Sequence, residues 1–368
     1  MVEQQIEAEE VKKDIKEVQE TIIPKQITEK VTREEFYSIL KMVSPGTHFR
    51  TALDGALKTG KGALIAIESD LVLPIIDGGF RVNCRFTPQR LIELTKMDGA
   101  IILSKDMKRI SYANVLLTPS SKIKTRETGT RHKAAERTAK QAGTLVIAIS
   151  ERRQEITLFY KNKRHLLKNT DELLRKANEL IQLTEKQREL FDKNISELDK
   201  AELRNYESLP IALQVIQKGY LVQKIAEDIK KYLIELGNEG ILLRTRLKEI
   251  MAGVEKDTSL VIKDYTKLDV VKSKTLLKTL SYDEILNSEN ILKVLGYEKA
   301  SQLIPIRGWR ILSKTSLSEE DIVLLARELA SLGKAIHSGV KTIAEIVGEE
   351  KAKTFKLEIE KIKMNSMY

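Results

Sequence analysis

The chain has 368 residues, 42% of them hydrophobic and only 5% aromatic, with a single cysteine and a formal net charge of +10. That length and apolar content allow two or three domains with mostly aliphatic cores. One cysteine, Cys84, excludes an intrachain disulfide framework. No apolar run reaches the ~18 residues of a membrane helix, and the N-terminus shows no basic start, apolar stretch and cleavage site in series, so a cytoplasmic protein without membrane contact is expected.

The charge is uneven. Residues 1–35 hold 6 basic and 10 acidic side chains, whereas 36–165 hold 23 and 11, a net of +12. A basic segment of this kind draws in polyphosphate. Residues 166–285 balance, and 286–368 are weakly basic, a poorer match to DNA than a dedicated binding domain.

In chain order, residues 3–21 read as a short solvated helix or tail. A helix is predicted over 33–42, broken by Ser44-Pro45-Gly46, and another near 47–58, followed by a turn at Thr59-Gly60-Lys61-Gly62. Ala63–Ile67 reads as a buried strand and Asp77-Gly78-Gly79 as a turn. Thr87-Pro88 opens a helix through Met97, with threonine as cap and proline in the first turn. Ala100–Leu103, Ile110–Leu117, Leu145–Ile149 and Ile156–Tyr160 read as strands, the last closing the unit, with a helix over 131–141 between them. Continuous apolar strands alternating with helices predict an α/β core covered on both faces.

From 166 to 285 apolar residues recur at three and four, as in Leu173, Leu174, Ala177, Leu180 and Ile181, which predicts an all-helical region without a catalytic cluster. Residues 286–368 read as short helices broken by glycine. Gly296 suits a helix C′ position, and Ile346–Ala352 suits a tight helical hairpin whose amides can hold a DNA phosphate. Trp309 reads as a core plug. The segments are therefore 1–35, an extension; 36–165, the α/β domain; 166–285, a helical spine; and 286–368, a C-terminal helical domain.

Two stretches carry chemistry. Asp98-Gly99-Ala100 places a carboxylate at a strand entrance. An Asp-Gly pair between apolar runs is most often a hairpin turn, but here a helix precedes it; such a carboxylate can bind a divalent ion together with substrate phosphates. Gly129-Thr130-Arg131-His132-Lys133-Ala134 opens a basic helix: a glycine turn, a hydroxyl suited to the N-cap, free amides and cations. Taken alone it also fits a solvated helix start. Tyr112–Leu117 is either an ordinary core strand or the wall of a base pocket through Leu117. Ser150 reads by residue type as a strand-end hydroxyl. No P-loop and no Cys/His zinc cluster is present.

Gly78-Gly79-Phe80, Phe86-Thr87-Pro88, Lys96 through Ser104, Tyr112-Ala113-Asn114-Val115 and Glu127 through His132 together resemble the diadenylate cyclase domain over about 50–165. The whole chain resembles the family of bacterial DNA integrity scanning proteins. The resemblance implies an α/β cyclase domain with a mixed central sheet flanked by helices, then an all-α spine and a C-terminal helix-hairpin-helix domain. It implies condensation of two ATP molecules to cyclic di-AMP with release of two pyrophosphates, each site facing its mirror copy, in an octamer of two tetramers. It assigns Asp98, Arg131 and His132 as catalytic, with Asp98 holding Mg²⁺ or Mn²⁺. Gly99, Ala100, Leu117, Thr130, Arg131, His132, Lys133, Ala134 and Ser150 would contact ATP. Branched DNA would meet the C-terminal domain through Lys314, Gly348 and Lys351. The chain departs from the family where Lys133 stands for arginine, and where Ile346, Glu349 and Glu350 alter the hairpin. The alternative is a DNA-structure sensor whose nucleotide domain no longer catalyses.

Overall fold

The computed structural model describes residues 31–204, 206, 208–301 and 304–367. The predicted helix or tail at 3–21 lies outside them. The chain forms two compact units, one reaching to residue 173 and taking in 234–239, the other built of 174–233 and the chain from 240 onward.

The first unit begins with α1 (Arg33–Met42), closed at its start by a capping box in which Thr32 and Glu35 satisfy each other's amides. α2 (His48–Lys58) is capped by the Thr47 side chain. α3 (Pro88–Leu94) has Thr87 as cap and proline in its first turn, as expected, but ends three residues short of Met97. There the Thr95 hydroxyl donates to the Ile92 carbonyl and the chain turns toward β4.

Eight strands form the sheet: β1 (Ala63–Ile67), β2 (Ile76–Asp77), β3 (Phe80–Arg85), β4 (Ala100–Leu103), β5 (Arg109–Leu117), β6 (Leu145–Ser150), β7 (Glu155–Tyr160) and β8 (Lys163–Leu167). Their order is β2-β5-β4-β1-β6-β7-β8, with β3 also on β5. β1 and β4 pair in parallel and the other pairs are antiparallel, so the sheet is mixed. β7 does not close the unit, because Tyr160 and Lys163 pair across a tight turn and add β8. β2 and β3 are short or exposed strands beside the Asp77-Gly78-Gly79 turn, which lack the continuous apolar runs of the core strands.

Side chains alternate across the sheet. Ile65, Ile101, Ile147, Ile149 and Leu158 face α1 and α2. Leu64, Ala66, Ala100, Ile102, Val146, Ala148 and Phe159 face Ala135, Ala139 and Ala142 of α4 (Thr130–Ala142). Both faces are thus covered. The small alanines let α4 lie close to the sheet. It ends at Gly143, which takes the left-handed φ of +62°. The Thr144 hydroxyl then donates to the carbonyl of Ile67, the last residue of β1. α4 therefore ends beside the end of β1 and starts beside its beginning.

The second unit is helical. It contains most of α5 (Thr170–Leu203) and α6 (Leu209–Leu236), then α7 (Ile241–Met251), α8 (Val254–Tyr265), α9 (Val270–Thr279), α10 (Tyr282–Leu286) and α11 (Ser288–Val294). One apolar cluster runs from Phe191 through Tyr265 to Ile306, and a second from Ile311 to Ile359. Gly296, at φ +86°, ends α11 in the expected manner. The last helices are α12 (Trp309–Leu312), α13 (Glu319–Glu328), α14 (Leu332–His337), α15 (Val340–Val347) and α16 (Glu349–Met367).

Candidate functional site

The long loop before α4 is strapped onto that helix. Lys140 Nζ donates to the Lys124 carbonyl at 2.9 Å, Arg137 Nε to the Ile123 carbonyl at 3.0 Å, and the Arg126 amide to Glu136 at 3.1 Å. The Thr125 hydroxyl also donates to Glu136. Burial works to raise the Glu136 carboxyl, but Lys140, Thr125 and Arg126 outweigh it and hold it below the usual range. The straps deliver Glu127, Thr128 and Gly129 to the helix start in one conformation.

Gly129, not Thr130, is the N-cap. Its backbone is extended, no side chain caps the helix, and its carbonyl accepts from Lys133 N at 2.8 Å. Thr130 is the first helical residue and its hydroxyl is left for the surroundings. The reason is local: the strapped loop places the extended residue one position earlier than residue type predicts. The first amides of the helix lack intrahelical acceptors and, with the helix dipole, favour an anion.

A cavity of about 640 Å³ opens there, walled by Glu127–His132 on one side and Ile149–Arg153 on the other. Thr130, Arg131, His132 and Ser150 meet in it. Ser150 ends β6, and its hydroxyl accepts from Arg153 N at 3.2 Å, shaping the turn that brings Arg152 and Arg153 to the rim. Glu127 is held by Arg164 of β8 at 2.6 Å. Among the described residues no hydrogen bond or ion pair engages the side chains of Arg131, Arg152 or Arg153. His132 stands edge-on to Phe159, ring centres 6.3 Å apart. Burial, reinforced by Arg164, Arg153 and Arg131 against the pull of Glu127, moves its imidazole below the usual value. A neutral imidazole at pH 7 keeps one donor and one acceptor. The arrangement can hold several phosphate oxygens: among the described residues no carboxylate is paired with these guanidinium groups, and of the two in the lining, Glu127 and Glu151, the first is tied to Arg164.

Asp98, Gly99, Ala100 and Leu117 do not line this cavity. They lie at the same end of the sheet. Leu64 pairs with Ala100, so the start of β4, which Asp98 precedes by two residues, lies beside the start of β1, which Gly62 immediately precedes, and the Arg131 guanidinium lies against Gly62. Asp98 is exposed. Gly99 has φ +87°, and a Cβ there would sit 2.7 Å from the Asn114 backbone, so only glycine fits beside the β5 bulge. Ala100 is buried in β4, and Leu117 is buried at the end of β5, where it pairs with Ile76. Lys133 and Ala134 are half-buried one turn into α4, and Ala134 packs on the sheet.

Among the described residues no cluster of three metal-binding side chains exists. Asp98 offers one exposed carboxylate. That donor set suits a hard cation such as Mg²⁺ or Mn²⁺ whose remaining ligands are phosphate oxygens and water. In the second unit, Lys314 is paired with Asp199 at 2.5 Å and Lys351 with Asp321 at 2.8 Å. Gly348 joins α15 to α16 at φ +92° with open space beside it.

Sequence reasoning did not assign roles to Gly62, Glu127, Glu151, Arg152, Arg153 or Arg164. Glu151–Arg153 directly follow Ser150, and Glu127 precedes the glycine turn by two residues. Adjacency was the available signal. Arg164 and Gly62 do not line the cavity; strand pairing sets them against Glu127 and Arg131, which do.

The chain matches the family model of the DisA bacterial checkpoint controller nucleotide-binding region over residues 50–164, and that of the DisA linker region over 167–304. It is 38% identical over 324 residues to the DNA integrity scanning protein DisA of Acetivibrio thermocellus, covering 86% of this chain and 90% of that protein. It is 36% identical to the protein of that name from Clostridium kluyveri, covering 88% and 94%. Identity is again 36% with that from Symbiobacterium thermophilum, covering 90% and 97%. No helix among the described residues is long and apolar enough to cross a membrane.

Proposed function

The chain belongs to the DisA family and carries that family's nucleotide-binding domain, and on that footing we propose that it is a diadenylate cyclase. Two ATP molecules are joined into cyclic di-AMP with release of two pyrophosphates. The observation that carries this reading is the convergence, at one end of one sheet, of a cationic helix-start cavity and the Asp98 carboxylate.

The chemistry asks for positioning and charge neutralisation more than for covalent help. Each 3′-hydroxyl oxygen forms a bond to the α-phosphorus of the other ATP, the bond to pyrophosphate breaks, and the hydroxyl proton passes to solvent water. The α4 amides, Thr130 and Arg131 hold phosphate oxygens as charge builds on them. His132 donates to a phosphate oxygen, and Ser150 borders the same space. Asp98 would hold Mg²⁺ or Mn²⁺, and the bound ion would supply charge neutralisation for the phosphates and Lewis acidity toward the attacking hydroxyl. Leu117 backs the adenine side of the site. The product has two equivalent phosphodiester links, so a two-fold pair of chains, each with one ATP, satisfies the symmetry. The octamer is the larger assembly this reading expects.

A second role belongs to the C-terminal helices. Gly348 opens the start of α16, where backbone amides can meet a phosphate of branched DNA, and the exposed edge of the Lys351 ion pair lies one turn away. We expect the helix-hairpin-helix arrangement to sit there and the protein to work in the cytoplasm.

Incubation of the purified chain with ATP and either cation, followed by mass identification of the product, tests the main reading. Cyclic di-AMP is the expected result. ATP binding without product would favour the non-catalytic sensor, and a gel shift on branched DNA at low salt would test the second role independently.

A further inference from the structure

We infer that Gly62 is a positioning residue of this site: its missing side chain is the seat that keeps the Arg131 guanidinium at the cavity. The inference rests on reading Arg131 as a phosphate-binding cation.

A Cβ on Gly62 would lie 2.2 Å from Arg131 Nη1 and 3.0 Å from its Cζ. No real Cβ tolerates such an approach, so the guanidinium occupies the volume that any other residue would fill. Gly62 is buried, and its backbone does not take the left-handed region that favours glycine elsewhere in this chain. Backbone freedom is therefore not what the position demands; space is. No bond or ion pair among the described residues fixes the Arg131 side chain, so packing over Gly62 sets where its charge sits. The seat is well placed for this. Gly62 immediately precedes β1, and a Cβ there would also lie 3.1 Å from the carbonyl oxygen of Ile149, one residue before Ser150 in the cavity wall. A methyl group at 62 needs only a few tenths of an ångström from that carbonyl, but the guanidinium must leave its seat.

The effect of Gly62→Ala should run through Arg131, and a double-mutant cycle on the full chain reads this directly. Binding of α,β-methylene ATP with Mg²⁺ is measured by calorimetry for wild type, Gly62→Ala, Arg131→Ala and the double variant. KM and kcat are measured with ATP, and melting temperature is followed throughout. Gly62→Ala should weaken the analogue and raise KM about tenfold, roughly as removal of the guanidinium does. In the Arg131→Ala background the same change should cost less than about twofold, because the partner it displaces is gone. The melting temperature of Gly62→Ala should change little, since the displaced atoms are the free end of a flexible side chain.

Wild-type affinity in Gly62→Ala would overturn the proposal, as would losses that multiply. A large fall in melting temperature in Gly62→Ala that persists in the double variant would place the clash at the Ile149 carbonyl and also overturn it. A wild-type chain that does not bind the analogue, or an Arg131→Ala chain that binds it normally, would instead defeat the reading of the site, and the seat would lose its purpose with it.

Discussion

Arg131 and Arg310 carry the same guanidinium in opposite settings. Arg310 has 1% of its side chain exposed and meets Asp199 and, at 2.7 Å, Glu202. Asp264 accepts from the Trp309 and Arg310 amides at 2.7 and 3.0 Å, Tyr265 donates to Glu202 at 2.9 Å, and Lys314 adds a second cation on Asp199. Among the described residues, the buried donors of that knot other than Arg310 Nε and Trp309 Nε1 are consumed inside the second unit. Arg131, Arg152 and Arg153 have no such partners among the described residues and face a cavity. A buried guanidinium with carboxylates on it ties helices together, whereas one left free beside a helix start is available to an anion.

The contrast can be broken at either end. The largest effect is expected at Asp98. Asp98→Asn should lower cyclic di-AMP formation by about 10³-fold or more while leaving the melting temperature in place, because the exposed carboxylate serves the metal and substrate rather than the fold. Normal turnover by chromatography in that variant would remove its role.

Arg310→Met should act the other way. It leaves the buried Glu202 without its cation, while Asp199 keeps Lys314 and Asp264 keeps the backbone amides, and removing one partner of a buried pair costs about 3–5 kcal/mol. Denaturant unfolding of the full chain should show it, and a loss under about 1 kcal/mol would mean the knot is not what holds these helices.

The knot also carries a pH signature. Burial pushes the Glu202 carboxyl up to about 7, with Asp264 and Asp199 reinforcing and Arg310 opposing. Burial likewise lifts Asp264, to about 6, against the amides of Arg310 and Trp309. The folded chain thus holds protons that the unfolded chain releases at lower pH. The stability they contribute is full below about pH 4 and is lost as pH rises through 6 and 7. Melting curves from pH 5 to 8 should fall on this account, and Glu202→Gln should flatten the slope. Parallel profiles for wild type and variant would contradict this.

Smaller effects sharpen the cavity side. Arg152→Ala with Arg153→Ala should raise the KM for ATP about three- to tenfold, more at low salt, because exposed cations act through a screened field. Independence from salt would argue against a purely electrostatic part. Lys133→Arg should tighten ATP by about twofold at most, restoring a forked donor where the chain has a point charge; a weakened affinity would show that the half-buried position does not reach phosphate.

Much of this was legible in the residues. Thr87-Pro88 announced a helix start, the apolar runs announced β1, β4, β6 and β7, and Gly296 announced a helix end, because caps, proline and left-handed glycine are decided by neighbours in sequence. The cap at Gly129 was misread as Thr130, since the straps from Glu136, Arg137 and Lys140 shift the helix start and act through the folded loop. β8 escaped notice because Lys163-Arg164-His165 looks polar, yet it pairs with β7 and supplies the partner of Glu127.

The sequence by itself determined which chemical groups exist here and roughly where each element begins: an Asp-Gly-Ala strand entrance, a basic helix start and a net cationic first domain. Only the tertiary structure decided which of those charges are free. Pairing β1 with both β4 and β6 brings Asp98, Gly62 and Ser150 to one end of a sheet, while the helical unit closes carboxylates around Arg310. The physical reason is that a charge's availability depends on what lies within a few ångströms, and those neighbours come from segments far apart along the chain.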